Sequence, residues 1–436
     1  MLSMLSPVEA FVRKNLRFNF AMGMLDGGFF GLGMGFATFS GIISLFVNHL
    51  TTSALLVGLV PAIHNMGWQL PQLVMAGWMS RAGTRSYKPL CLWMTINERL
   101  PFLGLAVVAL LVPHTSKTAI LWLTFIMLVW QGLGAGLAAN PWTNMISKVI
   151  PHDLIGTFFG TQSAAFNGLA GVSSILAGIL LEQIDAPWNF SVCFTLTFVF
   201  MAISFVFLSR TREPVSELRE QEHTEALWTR SLGILKRDRN FLAFLGVRVL
   251  SQFGGMAFAF YVIYAVQQYN MSDASAGVMI AILLLGQVVL SPLMGRLGDQ
   301  WSHRGVMMLG AAGAALSAVL AWQATSVYWF YAIFILEAAA VVSIWTIPLA
   351  MSVTFAPTEA ERPLYIGMAN TLPAPAAILA PVFGGWLADT AGFHATFVVS
   401  AICAAGMAAG LWLLIKDPSK RSRPLPIISP ESEEPA

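Results

Sequence analysis

Two ten-residue stretches decide how this sequence folds: AGWMSRAGTR at residues 76–85 and GRLGDQWSHR at residues 295–304. Each is a short, arginine-bearing break between long apolar runs, and they lie 219 residues apart. Outward from them the chain stays apolar. Of 436 residues, 56% are hydrophobic and only 11% are charged, and mean hydropathy is +0.70. A soluble globular chain carries roughly 25% charged residues. This chain lacks the polar groups to cover its own surface in water. Lipid as solvent resolves the deficit, because side chains that face lipid should be apolar.

A membrane helix needs about 20 mainly apolar residues. On that scale spans fall near 18–47, 53–79, 89–112, 118–147, 157–181 and 189–208. A charged stretch follows from Arg210 to Arg239, and six more spans lie near 241–268, 274–297, 304–324, 328–352, 364–388 and 392–415. Lys and Arg test this count, since positive loops resist translocation. With the N-terminus cytoplasmic, 21 of the 24 Lys and Arg residues fall on the cytoplasmic side, Lys117 falls outside, and Arg99 and Arg248 lie within spans. One helix more or fewer in either half would scramble that alternation. The expected organisation is a cytoplasmic N-terminus (1–17), a six-helix bundle (18–208), a cytoplasmic linker (209–240), a second six-helix bundle (241–415) and a disordered cytoplasmic tail (416–436) rich in Pro, Ser and charge. The N-terminal MLSMLSPVEAFVRKNLRF lacks an apolar core followed by a small-residue cleavage site, so no removable signal peptide is expected.

The halves carry traces of a repeat. Gly58 and Gly277, and Gly67 and Gly286, share the 219-residue offset of the two opening stretches. Pro151 with Pro357, and Asn140-Pro141 with Ile347-Pro348, fit an offset near 206. Matches in the same loop of each half point to two related bundles with a site at their interface, as in alternating-access carriers.

GRLGDQWSHR resembles the signature that the major facilitator superfamily carries between its second and third helices: Gly, three residues, Asp, Arg, any residue, Gly, Arg, then Lys or Arg. Gly295, Asp299 and Arg304 match it, while Gln300, Ser302 and His303 depart. In the first half Arg81, Gly83 and Arg85 match, with Ala76 and Ser80 in place of Gly and Asp. The resemblance implies an all-α polytopic membrane protein of twelve transmembrane helices in two pseudo-symmetric six-helix bundles. It also implies that Gly295, Asp299, Arg304, Ser80, Arg81 and Arg85 belong to the gating region. In the family the signature Asp approaches the start of a helix in the opposite half. A second family motif, from helix four of drug–proton antiporters, is matched by Gln131, Gly132, Gly134 and Ala135, but Leu128 stands at its Arg position. The Gly-Pro motif of helix five in such antiporters is absent between Gly160 and Gly178.

Charges inside the membrane are costly and tend to be paired, to face water or to work. Five stand within spans: Asp26, Glu98, Arg99, Arg248 and Glu337. Asp26 and Arg248 each sit about eight residues into the first helix of a half, ~12 Å from the cytoplasmic end. The resemblance places those two helices on either side of the central cavity, which makes the pair a candidate ion pair across it, for substrate, for a proton or for holding the halves together. Glu337 lies near mid-membrane with no charged neighbour in sequence. A lone carboxyl out of water favours its neutral form, the physical requirement for proton coupling. The alternative is a neutral Glu bonded to the next helix. Glu98 and Arg99 are adjacent, point about 100° apart on a helix and so are not expected to share one cavity. A packing role is expected for them. His64, Asn65 and Gln69 give helix two a polar middle. His64, Gln69 and Gln252 complete the candidate substrate or ion ligands.

Stripes of small residues at Gly23, Gly27, Gly31 and Gly35, and at Gly160, Ala164 and Gly168, are expected to pack helices closely. Pro373, Pro375 and Pro381 are expected to bend helix eleven. Cys91, Cys193 and Cys403 sit in apolar stretches with no metal spacing, no metal site or cofactor is implied, and no nucleotide-binding loop appears. With net charge +2, nucleic acid is not an expected partner. The reading is a permease of the cytoplasmic (inner) membrane, a secondary transporter of a small solute working as a monomer in the bilayer, with protons as candidate coupling ion. A lipid or amphiphile translocator is the alternative. A polytopic enzyme would need clustered His, Asp or Glu at one membrane face, and a receptor a sizeable soluble domain. The sequence has neither.

Overall fold

The structure, a computed structural model, describes residues 7–82, 86–151, 154–214, 227–357 and 362–417. Among them ten helical stretches are long and apolar enough to cross a membrane, and Tyr328–Ile344 is a shorter apolar one. Ala54–Ala82 is as long as the others, with the polar middle noted above. These make twelve membrane helices.

Helix one runs Pro7–Gly35, pauses at Thr38, and continues through a π-turn at Phe39–Ile43 into Ser44–Leu50. Its start at Pro7 precedes the expected 18. The reason is lateral bonding: Asn19 and the Arg212 backbone exchange hydrogen bonds of 3.0 and 2.9 Å, and Arg212 Nη1 donates to Asn15 Oδ1 at 3.0 Å. This ties the early turns to the end of helix six. Helix two is Ala54–Ala82, three Lys88–Leu110, four Lys117–Val149, five Ile155–Gln183 and six Trp188–Arg210. A short amphipathic helix, Leu227–Arg237, precedes helix seven, which runs Arg239–Gly254, a 3-10 segment Met256–Phe260, then Tyr261–Tyr269. Helix eight is Asp273–Gln300, nine His303–Gln323, and ten Tyr328–Val341 with a π-turn at Val342–Thr346 before Ile347–Phe355. Helix eleven breaks between Arg362–Thr371 and Ala374–Ala391, at Pro373 as expected, and helix twelve is Phe393–Leu413.

Side-chain caps set several starts. Ser116, Ser272 and Ser302 accept from the N–H groups of Ala119, Ser275 and Gly305, and Asp238 from Phe241. Each satisfies a donor the first turn leaves free.

The pairings repeat across the halves. Helix one packs on five and six, three on four and six, and two on four. Correspondingly, seven packs on eleven and twelve, nine on ten and twelve, and eight on ten. The main contacts between halves are two against eleven and five against eight, which the same two-fold relation interchanges. The two stripes of small residues differ. A methyl group on Gly23, Gly27, Gly31 or Gly35 would strike helix five at Phe158, Gln162, Phe166 or Ser173, so that stripe is a packed face. Around Gly160 and Gly168 there is nothing within 4 Å. The expected close packing there is corrected: that face of helix five borders open space.

Candidate functional site

The face that carries the start of helix one and the end of helix twelve is termed here the termini face, and its opposite the far face. Between the halves lies a cavity of about 350 Å³. Helices one, two and five line it from one side; helices seven, eight, ten and eleven line it from the other. Its walls are mostly apolar; His64, Asn65, Gln252, Gln287 and Glu337 are the larger polar groups, with the hydroxyls of Thr38, Ser40 and Ser251.

Towards the far face the halves close on it. Gly277 sits against the Ser174 carbonyl and Gly58 against the Pro381 carbonyl, with no room for a side chain at either. Ser174 Oγ donates to the Gly277 carbonyl at 3.3 Å, and Gln267 Nε2 to Asn48 Oδ1 at 2.7 Å. The most concentrated contact is Asp389, at the end of helix eleven. Its carboxylate accepts from the backbone N–H of Ala54 at 2.6 Å and of Leu55 at 2.9 Å, and from Ser53 Oγ at 2.6 Å. Those N–H groups begin helix two, where free donors and the helix dipole favour an anion. Among the described residues, the inter-half hydrogen bond nearest the termini face is Asn65 Nδ2 to the Ala377 carbonyl, at 3.4 Å. Beyond it the described residues of the two halves part. Gly160 and Gly168 look into open space, and Thr157, Thr161 and Ser163 on helix five are exposed. Polar side chains on that face indicate a water-filled cleft.

Glu337 is buried in helix ten, hydrogen-bonded by the hydroxyls of Tyr261 from helix seven and Ser317 from helix nine. His64 stacks on Phe39 with ring centroids 3.7 Å apart, and its Nδ1 lies 3.3 Å from Gln131 Oε1 of helix four. Gln252 donates weakly to the Arg248 carbonyl at 3.4 Å. Gln69 is half-buried and outside the lining of this cavity.

Asp26 and Arg248 do not meet in this conformation, which corrects the expected ion pair here. Asp26 Oδ1 lies 3.6 Å from Arg99 Nη2 and accepts from Ser204 Oγ at 2.6 Å, and Trp142 also bonds its carboxylate. Arg99 further donates to the carbonyls of Met201 at 3.0 Å and Thr95 at 3.2 Å, and to Ser204 Oγ at 3.1 Å. The reason is helix pairing: helices one and three both pack on six, so Asp26 reaches Arg99 within its own half. Arg248 instead donates to the Ile344 carbonyl, inside the π-turn of helix ten. Its Nε has no partner among the described residues.

A second cavity, about 430 Å³, lies within the first six helices. Asp26, Glu98 and Arg99 line it together with Phe30, Trp68, Trp142, Phe159 and Phe166. The expectation that Glu98 and Arg99 cannot share a cavity is therefore corrected. Their Cβ atoms diverge, but both side chains are long enough to curl to one side, and Glu98 Oε2 comes within 3.5 Å of Arg99 Nη1. Phe166 lines both cavities. Reading the sequence missed this trio, although three charges in one set of spans was the available signal. It also missed Asp389 and Gln287.

Of the gating candidates, Gly295 is half-buried with free space around it. Arg304 Nη1 donates to the Ile415 carbonyl at 2.7 Å, joining helix nine to the end of twelve. The side chains of Asp299, Ser80 and Arg81, and the whole of Arg85, lie outside the described residues.

Comparison with known proteins agrees with this architecture. The crystal structure of the nucleoside transporter NupG superposes with a TM-score of 0.71 at 11% identity, covering 91% of this chain and 100% of that one. A D-xylose-proton symporter gives 0.68 at 17% identity, covering 92% and 98%. The inward-open xylose transporter XylE from E. coli gives 0.69 at 15% identity, covering 91% and 96%. No curated protein matched the sequence. The profile of the Major Facilitator Superfamily matches residues 25–265 and again residues 245–433. With its twelve helices in two related halves and a cavity between them, the chain belongs to the Major Facilitator Superfamily of transporters.

Proposed function

We propose that this protein carries a small solute across the cytoplasmic membrane by alternating access, as a monomer, with the termini face in the cytoplasm and the present conformation open to it. The observation that carries the reading is the asymmetry of the contact between halves: tight at the far face, parted at the termini face, with a cavity at the end of the cleft. A carrier needs such a site reachable from one side at a time. The placement of Lys and Arg supports the orientation. The six-helix halves, residues 18–208 and 241–415, are the rocking bodies and 209–240 their linker. Among the described residues, Glu337 is the carboxyl of the central cavity, and it is the candidate proton acceptor. On the cytoplasmic side Asp299 is the candidate lock of the opposite state, with Ser80 its weaker mirror.

Single cysteines test the reading in a background without Cys91, Cys193 and Cys403. Gly168→Cys faces open space and should be labelled from the cytoplasmic side. Ser174→Cys is buried in the seam and should be labelled only from the far side, and only when the carrier cycles. Labelling that never changes as substrate is added or removed would sink alternating access.

A further inference from the structure

We propose that the cavity inside the first six helices binds an organic cation with a flat apolar body, and that Glu98 is the anionic group that holds it. If the carrier reading is right, this names the substrate class; the site itself rests on geometry alone.

Charge comes first. One guanidinium faces two carboxyl groups, Asp26 and Glu98, so with all three ionised the trio carries one net negative charge. The ion pair between Arg99 and Asp26 is long, at 3.6 Å, but hydrogen bonds complete both groups: Arg99 donates to Met201, Thr95 and Ser204, and Asp26 accepts from Ser204 and Trp142. Glu98 is not completed in this way. Its one ion pair, to Arg99, is as long, at 3.5 Å, and among the described residues no hydrogen bond reaches its carboxylate. Its side chain is 10% exposed and lines the cavity. A carboxylate in apolar surroundings with half a partner is destabilising until a cation completes it.

The walls select what kind of cation. Phe30, Trp68, Trp142, Phe159 and Phe166 surround the space, and aromatic faces attract positive charge. Arg99 already uses this, with its guanidinium 5.5 Å from the Phe30 ring centre and 5.8 Å from that of Phe205. An anion would meet a net negative trio. A neutral solute would leave Glu98 as it is. The volume, about 430 Å³, lies in the range of small-molecule sites, roughly 300–1,000 Å³. Trp68 is 42% exposed and Ser163 is exposed, so one wall opens towards the cleft. The central cavity makes no equal demand, because two hydroxyls already bond Glu337.

Equilibrium binding to the purified full-length protein tests this by calorimetry. The probes are benzyltrimethylammonium, phenylacetate as an anion of like size, and 2-phenylethanol as a neutral one. The wild type should bind the cation at least about 10-fold tighter than the other two. Glu98→Gln should erase that preference, and Glu98→Asp should keep part of it. Removing Glu98 leaves Asp26 and Arg99 as a neutral pair, so Glu98→Gln should melt near the wild type. Should it not fold, Trp68→Ala removes an aromatic wall without touching the trio and should weaken cation binding alone. Equal affinity for the three probes, or cation binding unchanged in both variants, overturns the site. Cation binding without transport into vesicles would overturn the carrier reading and leave the site standing. Transport of an anion with no cation binding would do the reverse.

Discussion

The two halves share one helix plan but hold their buried charges differently. In the first half Arg99 is clasped between helices one, three and six by two opposite charges, a hydroxyl and two carbonyls. In the second, Arg248 bonds a backbone carbonyl in the π-turn of helix ten, and Glu337 bonds two hydroxyls. No opposite charge lies within ion-pair distance of either among the described residues. A charge held by its opposite is structural, because removing one member strands the other. A carboxyl held by neutral hydroxyls can gain or lose a proton with little disturbance to its neighbours. The difference assigns stability to the first half's network and any proton coupling to the second half's Glu337.

The strongest way to break that contrast is Arg99→Gln. It strands Asp26 and Glu98 in the apolar interior and should cost about 3–5 kcal/mol of stability, read as a lowered melting temperature in detergent. Asp26→Asn combined with Arg99→Gln should recover part of the loss. Asp26→Asn with Arg248→Gln should be additive, since these two residues do not meet. Additivity in the first double variant and recovery in the second would reverse the assignment.

The seam at the far face sharpens the contrast by an intermediate amount. Asp389→Asn removes the charge that caps helix two. Hydrogen bonds to a charged group contribute roughly 1.5–3 kcal/mol, so the balance of states should move about 10- to 100-fold towards the outward-open form. Labelling at Ser174→Cys from outside would report it. Ser53→Ala, which removes one of the three donors to Asp389, should move the same balance less, by about 1 kcal/mol or under.

Glu337→Gln is expected to change melting little, by about 1 kcal/mol or less, yet to alter transport in kind. If protons drive uptake, accumulation against a gradient should vanish while exchange of substrate across the membrane persists, because exchange needs only the site and the rocking motion. Normal accumulation in this variant would remove Glu337 from the coupling role. Gly168→Ala, into open space, should stay within about 0.5 kcal/mol of wild type. Gly31→Ala, against the Phe166 backbone, should not.

Much of the fold was written along the chain. Hydropathy over about 20 residues reports whether a segment can cross lipid, and Lys and Arg report which ends can stay behind. Both are local sums, so twelve helices, the six-plus-six division and the break at Pro373 could be read without coordinates. The polar middle of helix two and the isolation of Glu337 were legible too, because a polar group in an apolar run stands out wherever it faces.

Partnership was not legible. Whether Asp26 meets Arg99 or Arg248 depends on how helices one, three and seven are turned and tilted about one another, and position along a span carries no such angle. The same holds for the two small-residue stripes. Gly23 to Gly35 and Gly160 to Gly168 have the same spacing, yet one is pressed against a helix and the other borders open space. Asp389 is a single acidic residue in the sequence; only the crossing of helices two and eleven places it on three donors of the opposite half. Sequence sets which segments leave water, because that is a property of each segment alone. Tertiary structure alone decides which buried charges find one another, because that interaction falls off within a few ångströms and depends on the packing of every helix between them.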